Sequence, residues 1–439
     1  MSEYFEIAYA TAAKRICLFT GTGFSIEISN GSAPSWNNLL GQICDEHIGR
    51  DGFKDTLLPT VGSRPLNLEE VAQAIQAELS KSSLCIHDEI AAQISSIKLA
   101  GAGKYTSKFF QEQKFRVVTT NYDKLAEDLA GSDATTVCPG RPIARSDSRV
   151  KVMHVHGAID APEKMVVTSD DYFKFMSKDT YFSRKLSTLL HENTVVILGY
   201  SLGDTNLKAF LNDHLDFVRN HKVNNSIFFV SRNNVPQELI DYYYSCYGIR
   251  VIADTSIEDF FMRLDQKAIF VGPNIESSIT DLSNVLSKGY EFTDNHIRDE
   301  NSFYRIVASL GASGVSLNDE AVVEMFRKII QKKRAFTGYQ NAWDQYAHLA
   351  RWLIYLGSLI DVRGTSVENT FLEAVSNAIS KVRKTAMSGT SWEASESWSS
   401  GWKKISSDNR ALIKTTIRDN VMETGNHVHD DVWELIHTG

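Results

Sequence analysis

Short runs of β-branched and aromatic residues recur through the first 255 residues of the chain, and most are followed by a turn and a helical pattern. These runs occupy residues 16–19, 115–118, 152–155, 195–198, 227–230 and 251–252. Several are continuously apolar, as expected of strands covered on both faces. Helical spacing, as in residues 68–75, fills the intervals. The alternation predicts an α/β fold with a doubly wound, Rossmann-like parallel sheet, whose ligands bind at the carboxyl ends of the strands.

The pattern changes after about residue 265, where apolar residues at helical spacing replace the strand-like runs. This spacing occurs in residues 321–330, 343–356 and 371–382, and Ser316 is the expected cap of the first helix. Residues 388–402 are a Ser-rich segment with three tryptophans, interpreted as a loop whose tryptophans form either packing anchors or a contact surface. We expect two domains, residues 1–265 with the sheet and residues 266–439 as an all-α domain for assembly or partner docking.

Composition and charge narrow the functional classes. The chain of 439 residues is 43% hydrophobic, and its formal net charge of -8 gives no overall basic field for nucleic acid. A basic cluster is interpreted as a solvated helix face, so direct nucleic-acid binding is not expected; it comprises Lys328, Lys332, Lys333 and Arg334. The first residues lack a secretory signal pattern, and no apolar run approaches the roughly 18 residues that span a bilayer. We expect a cytoplasmic protein without a membrane partner.

The cysteines and histidines give no sign of a metal centre. Five cysteines are scattered along the chain without a CxxC pair, which argues against both a disulfide framework and a structural zinc site. The segment HVHDD at residues 427–431 could bind a metal if the backbone curled, but an exposed polar turn is the preferred interpretation. No metal is therefore expected.

A glycine turn, TGTGFS at residues 20–25, follows the first strand-like run. Gly21 and Gly23 permit a tight turn and allow the backbone to approach a phosphate group closely. The third glycine of the dinucleotide fingerprint is replaced by Ile26, and no GK[ST] follows, so an NTPase phosphate loop is not indicated. A plain βα turn stays open as the alternative.

Polar turns also follow later strands, and they carry Asn121 and His156. Taken singly, Asn121 is a common turn former and His156 a common structural histidine. Several such turns should nevertheless open on one rim of a parallel sheet, which favours a site. Histidine suits proton transfer near neutral pH, and a carboxamide can both donate to and accept from a ribose hydroxyl or a water molecule. His154 is expected inside its strand, so the strand-end rule prefers His156.

Together these segments resemble the sirtuin family, NAD-consuming enzymes built on a doubly wound sheet. The matching segments, in chain order, are GTGFS at 21–25, PSW at 34–36, TTNYD at 119–123, HG at 156–157 and GYS at 199–201. The resemblance implies that Asn121 and His156 are catalytic, with His156 as the base. It implies a larger set of NAD-binding residues, namely Gly21, Thr22, Gly23, Ser25, Ser35, Trp36, Thr120, Asp123, Gly199 and Ser201.

The chain also departs from the protein-deacylating sirtuins, which carry two CxxC pairs for zinc before the late glycine motif. No cysteine lies between His156 and Gly199, and Thr22 replaces the usual alanine. With Tyr122 and Tyr200, this pattern resembles the bacterial sirtuin-like branch of anti-phage defence, whose members typically hydrolyse NAD. The resemblance thus implies an NAD glycohydrolase that depletes NAD as a defence effector and needs no metal.

Two other functions stay open, an NAD-dependent protein deacylase and a non-catalytic module that senses NAD or ADP-ribose. Because a free NAD hydrolase would be toxic to its own cell, we expect the helical domain to control activity. The expected partners are further copies of the chain in a homo-oligomer, or a second defence protein such as a nucleic-acid translocase or ATPase.

Overall fold

The computed structural model describes residues 2–142, 146–176, 181–201, 227–271, 275–379, 391–424, 432 and 434–436. Its centre is a sheet of seven parallel strands in the order β3-β4-β2-β1-β5-β6-β7. The strands are β1 Ile16–Thr20, β2 Phe115–Thr119, β3 Ala134–Val137, β4 Val150–His154, β5 Thr194–Leu198, β6 Ile227–Val230 and β7 Ile249–Ile252. The predicted doubly wound parallel sheet is confirmed, and its order reverses between β1 and β5, where ligands of such folds bind.

The two faces of the sheet are buried by different helices, and the alternation of side chains along β1 shows how. Ile16 and Leu18 belong to a core shared with the helices before and after the strand, whereas Cys17 and Phe19 belong to the core on the opposite face. All five residues of β1 are buried. A central strand covered on both faces therefore appears in the sequence as an uninterrupted apolar run.

Helices in the first 192 residues flank the sheet or lie between its strands. They are α1 Ser2–Ala12, α2 Thr22–Ile28, α3 Trp36–His47, α4 Phe53–Leu57, α5 Leu68–Leu79, α6 Ile86–Ser95, α7 Lys104–Glu112, α8 Leu125–Ala130, α9 Ser169–Met176 and α10 Tyr181–Glu192. Helices α3, α5 and α6 share a separate apolar core that also includes Tyr122, Met165 and Val167. We call these three helices the helical cover, because their core rests on residues that follow β2 and β4.

The rest of the described chain is helical after β7. The helix Gln237–Tyr247 precedes β7. The helices after β7 are Ile257–Val271, Ile275–Lys288, Asp294–Arg298, Ser302–Ser313, Glu320–Phe336, Trp343–Leu359, Glu368–Ile379, Trp392–Gly401 and Ser407–Thr424. A further core gathers apolar side chains from Leu282 to Ile436. Residue 265, the expected domain boundary, lies inside Ile257–Val271, whose last residue still packs in a core of the sheet.

Three local expectations for the helical region need correction. Asp319, rather than Ser316, caps the helix Glu320–Phe336, because its side chain accepts from the amide of Ala321 at 2.9 Å. The tryptophan-bearing segment is helical over Trp392–Gly401, not a loop, and two of its tryptophans are buried. Lys333 is fully buried and donates to the carbonyl of Ile297 at 2.9 Å, so it does not belong to a solvated basic face.

An ion pair between β7 and α1 also contacts the helical region. Arg250 of β7 donates two hydrogen bonds to the carboxylate of Glu6 in α1, at 2.6 and 2.7 Å. The hydroxyl of Tyr355, from the helix Trp343–Leu359, donates to the same carboxylate. In the described part of the chain, no helix is both long enough and apolar enough to cross a membrane. The candidate segment at 427–431 lies outside the described residues.

Candidate active site

A cavity of about 570 Å³ opens between the carboxyl ends of the strands and the helical cover. This volume falls within the range of roughly 300–1,000 Å³ that is typical of small-molecule sites. Many of the residues expected at the site line it, and these are Thr22, Ser25, Trp36, Thr120, Asn121, Asp123, His156 and Ser201. Gly21, Gly23, Ser35 and Gly199 do not line it. The structure therefore brings most of the expected polar side chains together at one edge of the sheet.

The three glycines are needed where the turn after β1 crosses the turn after β5. The amide of Gly23 donates to the carbonyl of Gly199 at 2.9 Å, and the amide of Gly21 donates to Leu198 at 3.0 Å. A Cβ on Gly199 would lie 2.1 Å from the amide nitrogen of Phe24, and its φ of +71° also favours glycine. The packing of the two turns accounts for the glycines, and the amides of Gly21 and Gly23 are already engaged within the protein.

A chain of hydrogen bonds fixes Asn121. Its carboxamide nitrogen donates to the carbonyl of Gly21 at 2.9 Å and to the hydroxyl of Ser25 at 2.8 Å. Ser25 in turn donates to the carboxylate of Asp123 at 2.8 Å, and Asp123 accepts the amide of Leu125. Burial raises the pKa of Asp123. Because both N–H groups of Asn121 are used, its Oδ1 is left to accept a hydrogen bond from a ligand or a water molecule.

His156 lies against an aromatic wall supplied by α9. Its ring centroid is 5.2 Å from that of Tyr172 and 5.4 Å from that of Phe175, both edge to face. The Tyr172 hydroxyl is 3.5 Å from Nδ1. The histidine is 3% exposed, and burial lowers its pKa to about 4. The imidazole is therefore neutral at pH 7 and can accept a proton or a hydrogen bond.

His154 supports the site from behind and does not line the cavity. It is the last residue of β4, not an interior one as the sequence suggests. Its Nδ1 lies 2.8 Å from the carbonyl of Asn121, and its Nε2 lies 3.0 Å from the Glu127 carboxylate. Burial alone would lower the pKa of His154, but Glu127 raises it, and the imidazolium in turn holds the pKa of Glu127 at about 2 despite burial. This buried ion pair fixes the backbone that carries Asn121.

The segment before α3 contributes one side chain to the cavity and one to the helix. Ser35 is the N-cap of α3, and its hydroxyl accepts the amide of Asn38 at 3.2 Å. Trp36 begins the helix, lines the cavity and packs against Tyr122 with ring centroids 5.8 Å apart. Tyr122 is anchored by a hydrogen bond of 2.6 Å from its hydroxyl to the carbonyl of Val166. The PSW segment thus joins the helical cover to the strand ends.

Other lining residues were not predicted to belong to the site. Arg64 and Glu69 reach the cavity from the loop before α5 and from its first turn, and Tyr172 reaches it from α9. Tyr200 lies across the end of the sheet, where its hydroxyl is 2.6 Å from that of Thr120. Arg64 is exposed, and it is the one lysine or arginine among the described residues that line the cavity. The sequence signal for Arg64 is a Gly-Ser-Arg-Pro turn before a helix cap, which is too common to indicate a site by itself.

Comparison with known proteins matches part of the sequence to a family model. A model described as the SIR2-like domain matches residues 116–252. The match includes Asn121, His156 and the late glycine turn, but begins after β1, Ser25 and the helical cover.

The chain is also similar to a curated protein of Bacillus subtilis, Defense-associated sirtuin 2. The two are 29% identical over 154 residues, which is 33% of this chain and 15% of that protein. This chain therefore spans only a small part of the length of its relative. Among the residues that the structure describes, no three His, Cys, Asp or Glu side chains are grouped so that they could hold a metal ion.

Proposed function

We propose that this protein is an NAD glycohydrolase that cleaves NAD to nicotinamide and ADP-ribose. The observation that carries the proposal is the shared cavity of Asn121 and His156, in which the carboxamide is held in one orientation by Gly21 and Ser25. A SIR2-like domain supports NAD as the substrate. The cleaved bond joins the nicotinamide nitrogen to the anomeric carbon of the ribose.

In the proposed mechanism, Asn121 orients the nucleophile. Its Oδ1 accepts a hydrogen bond from a water molecule or a ribose hydroxyl and aims the oxygen lone pair at the anomeric carbon. As nicotinamide leaves with the bonding electron pair, the ribose acquires positive charge, and attack by water gives ADP-ribose. His156, neutral because of its burial, accepts the proton released by the attacking oxygen. General base catalysis of this kind contributes about 10²–10⁴-fold, and positioning supplies further acceleration.

The remaining lining groups suit a dinucleotide. Thr22, Thr120 and Ser201 offer hydroxyls, and Trp36 offers an aromatic face. Arg64 supplies positive charge for the diphosphate, since the amides of Gly21 and Gly23 are occupied. In this proposal the two glycines and Gly199 act by bringing the turns together, while Asp123 holds Ser25 and through it Asn121.

The decisive test is NAD turnover by the purified full chain, with nicotinamide and ADP-ribose quantified by chromatography. Asn121→Ala and His156→Ala should each lower kcat by at least about 100-fold, given the acceleration expected of such groups. His296→Ala is the matched control, because burial also lowers the pKa of this half-buried histidine, which lies in the helical region away from the cavity. Turnover that is equal in wild type and Asn121→Ala would show that this cavity does not cleave NAD.

The same assay separates the other two functions. A protein deacylase consumes NAD only when an acylated peptide is present and releases acyl-ADP-ribose. A sensing module binds NAD without turnover, and binding survives in His156→Ala.

We further propose that the protein acts in anti-phage defence, as the similarity to a defence-associated sirtuin suggests, and that the helical region controls activity by self-assembly or by docking a second protein. Turnover measured across protein concentrations tests self-assembly, since a rate per chain that rises with concentration requires it.

A further inference from the structure

A cysteine, a histidine and an aspartate are aligned outside the cavity, in contact with α9. The sulfur of Cys85 is 3.5 Å from Nδ1 of His87, and Nε2 of the same ring is 2.9 Å from the Asp171 carboxylate. Cys85 and His87 are half-buried, so a small solute can reach the thiol. None of the three residues lines the cavity. The order nucleophile, base and orienting carboxylate is the arrangement that activates a nucleophile in covalent catalysis.

The carboxylate fixes the tautomer of the imidazole. Asp171 is itself held by the amide and the hydroxyl of Thr168, at 3.0 and 2.8 Å, so it presents a rigid acceptor to Nε2–H. The lone pair of Nδ1 then faces the thiol and can take its proton. The hydrogen bond that His87 donates to Asp171 raises the pKa of the imidazole, which favours the imidazolium that this transfer produces.

The other cysteines lack this arrangement. Cys17, Cys44 and Cys138 are buried, and burial raises the pKa of each thiol. Cys246 is half-buried like Cys85, but no imidazole contacts it among the described residues. Cys85 also holds the N-cap position of α6, directly beside the imidazole of His87.

We propose that Cys85 is a modification site for hydroperoxides, activated by His87 and Asp171. The thiol proton moves to Nδ1 of His87, and the thiolate attacks the distal oxygen of the hydroperoxide. The S–O bond forms as the O–O bond breaks, so sulfur is oxidised by two electrons and the peroxide is reduced. The leaving alkoxide or hydroxide takes the proton from the imidazolium. The products are the sulfenic acid of Cys85 and an alcohol or water.

The location of Cys85, His87 and Asp171 connects the modification to the candidate active site. Asp171 is adjacent in sequence to Tyr172, whose hydroxyl lies 3.5 Å from His156. The same carboxylate therefore orients His87 and stabilises the start of the helix that packs on His156. This site does not depend on NAD cleavage, and its test needs no enzymatic activity.

The test is the rate of sulfenic acid formation at each cysteine of the full chain with hydrogen peroxide, trapped with a dimedone probe and quantified by mass spectrometry. Cys85 should react about tenfold or more faster than Cys246, since base assistance contributes at least this much. His87→Gln and Asp171→Asn should each reduce the Cys85 rate to that of Cys246. An unchanged Cys246 rate and thermal melting curve show that each variant has kept its fold.

The proposal is overturned if Cys85 reacts no faster than Cys246 in wild type, or if its advantage survives in either folded variant. If one variant fails to fold, the other decides the question, because the base and its orienting carboxylate are tested independently.

Discussion

Ser25 is the residue whose loss should best test how Asn121 is held. Its hydroxyl accepts from the Asn121 carboxamide at 2.8 Å and donates to the Asp123 carboxylate at 2.8 Å. Replacement by alanine removes both bonds and leaves the carboxamide tied to the carbonyl of Gly21 alone. The side chain of Asn121 can then rotate, and Oδ1 no longer keeps its direction toward the reacting carbon.

The expected loss follows from the two bonds. A neutral hydrogen bond contributes about 0.5–1.5 kcal/mol, and one to a charged group contributes about 1.5–3 kcal/mol. Their sum is about 2 to 4.5 kcal/mol, and if this energy serves to orient Asn121, kcat for NAD falls roughly 30- to 2,000-fold. KM should change little, because Ser25 acts on the attacking group rather than on binding.

Steady-state NAD turnover by Ser25→Ala measures this loss, and Ser29→Ala is its matched control. Ser29 is fully buried at the end of α2 and also makes two side-chain hydrogen bonds, to Ile26 and Ala33, but it does not line the cavity. Ser29→Ala should alter stability without a comparable loss of kcat. The reasoning is refuted if the two variants have equal kcat, or if Ser25→Ala raises KM alone.

Three further predictions concern the contact between the turns after β1 and β5, the stability of the protein at acid pH, and the binding of the NAD diphosphate. Gly199→Ala should lower the melting temperature, because a residue other than glycine in the left-handed conformation costs about 1–2 kcal/mol and the new Cβ would overlap the amide of Phe24. An unchanged melting curve would contradict this prediction. Burial lowers the pKa of His156 from 6.5 to about 4, so the unfolded state binds more protons between these values and stability should fall by about 3 kcal/mol as pH drops through them. Melting curves at pH 7 and pH 4.5 should therefore differ less for His156→Gln than for wild type, and an equal difference argues against a neutral buried imidazole. Arg64→Gln should raise KM for NAD about tenfold with little change in kcat, whereas the exposed Arg50→Gln should change neither; equal effects of the two would remove Arg64 from the site.

The strands could be predicted closely from the sequence where both faces are covered. Residues 16–19, for example, form a buried apolar run, and the observed strand is Ile16–Thr20. The edge strand Ala134–Val137 is not predicted by the hydrophobic pattern, because its four residues are all half-buried and produce no apolar run. The helical spacing of α5 was visible, but its position over the cavity was not, because that position depends on long-range packing against Tyr122, Met165 and Val167.

The residues of the candidate site also differ in whether the sequence predicts them. Asn121 and His156 could be inferred because each follows a strand, and the end of a strand fixes where its next residues lie. Arg64 and Tyr172 approach the cavity from helices and loops outside the sheet, so no local pattern marks them. For Gly199, the resemblance predicts a role in NAD binding, but it does not predict the contact that this residue makes with Gly23, 176 positions away along the chain.

The SIR2-like match covers only some of the residues that line the cavity. Asn121 and His156, which would act on the bond, lie inside residues 116–252, whereas Ser25, Trp36 and Arg64 lie outside them. Outside the match, Ser25 of α2 orients the carboxamide, while Trp36 of α3 and Arg64 of the loop before α5 line the cavity. Since Ser25 directly fixes Asn121, the matched segment alone cannot define the reactive geometry. Replacing the first 112 residues with the corresponding segment of a related protein should therefore alter both the choice of ligand and kcat, even though Asn121 and His156 are kept.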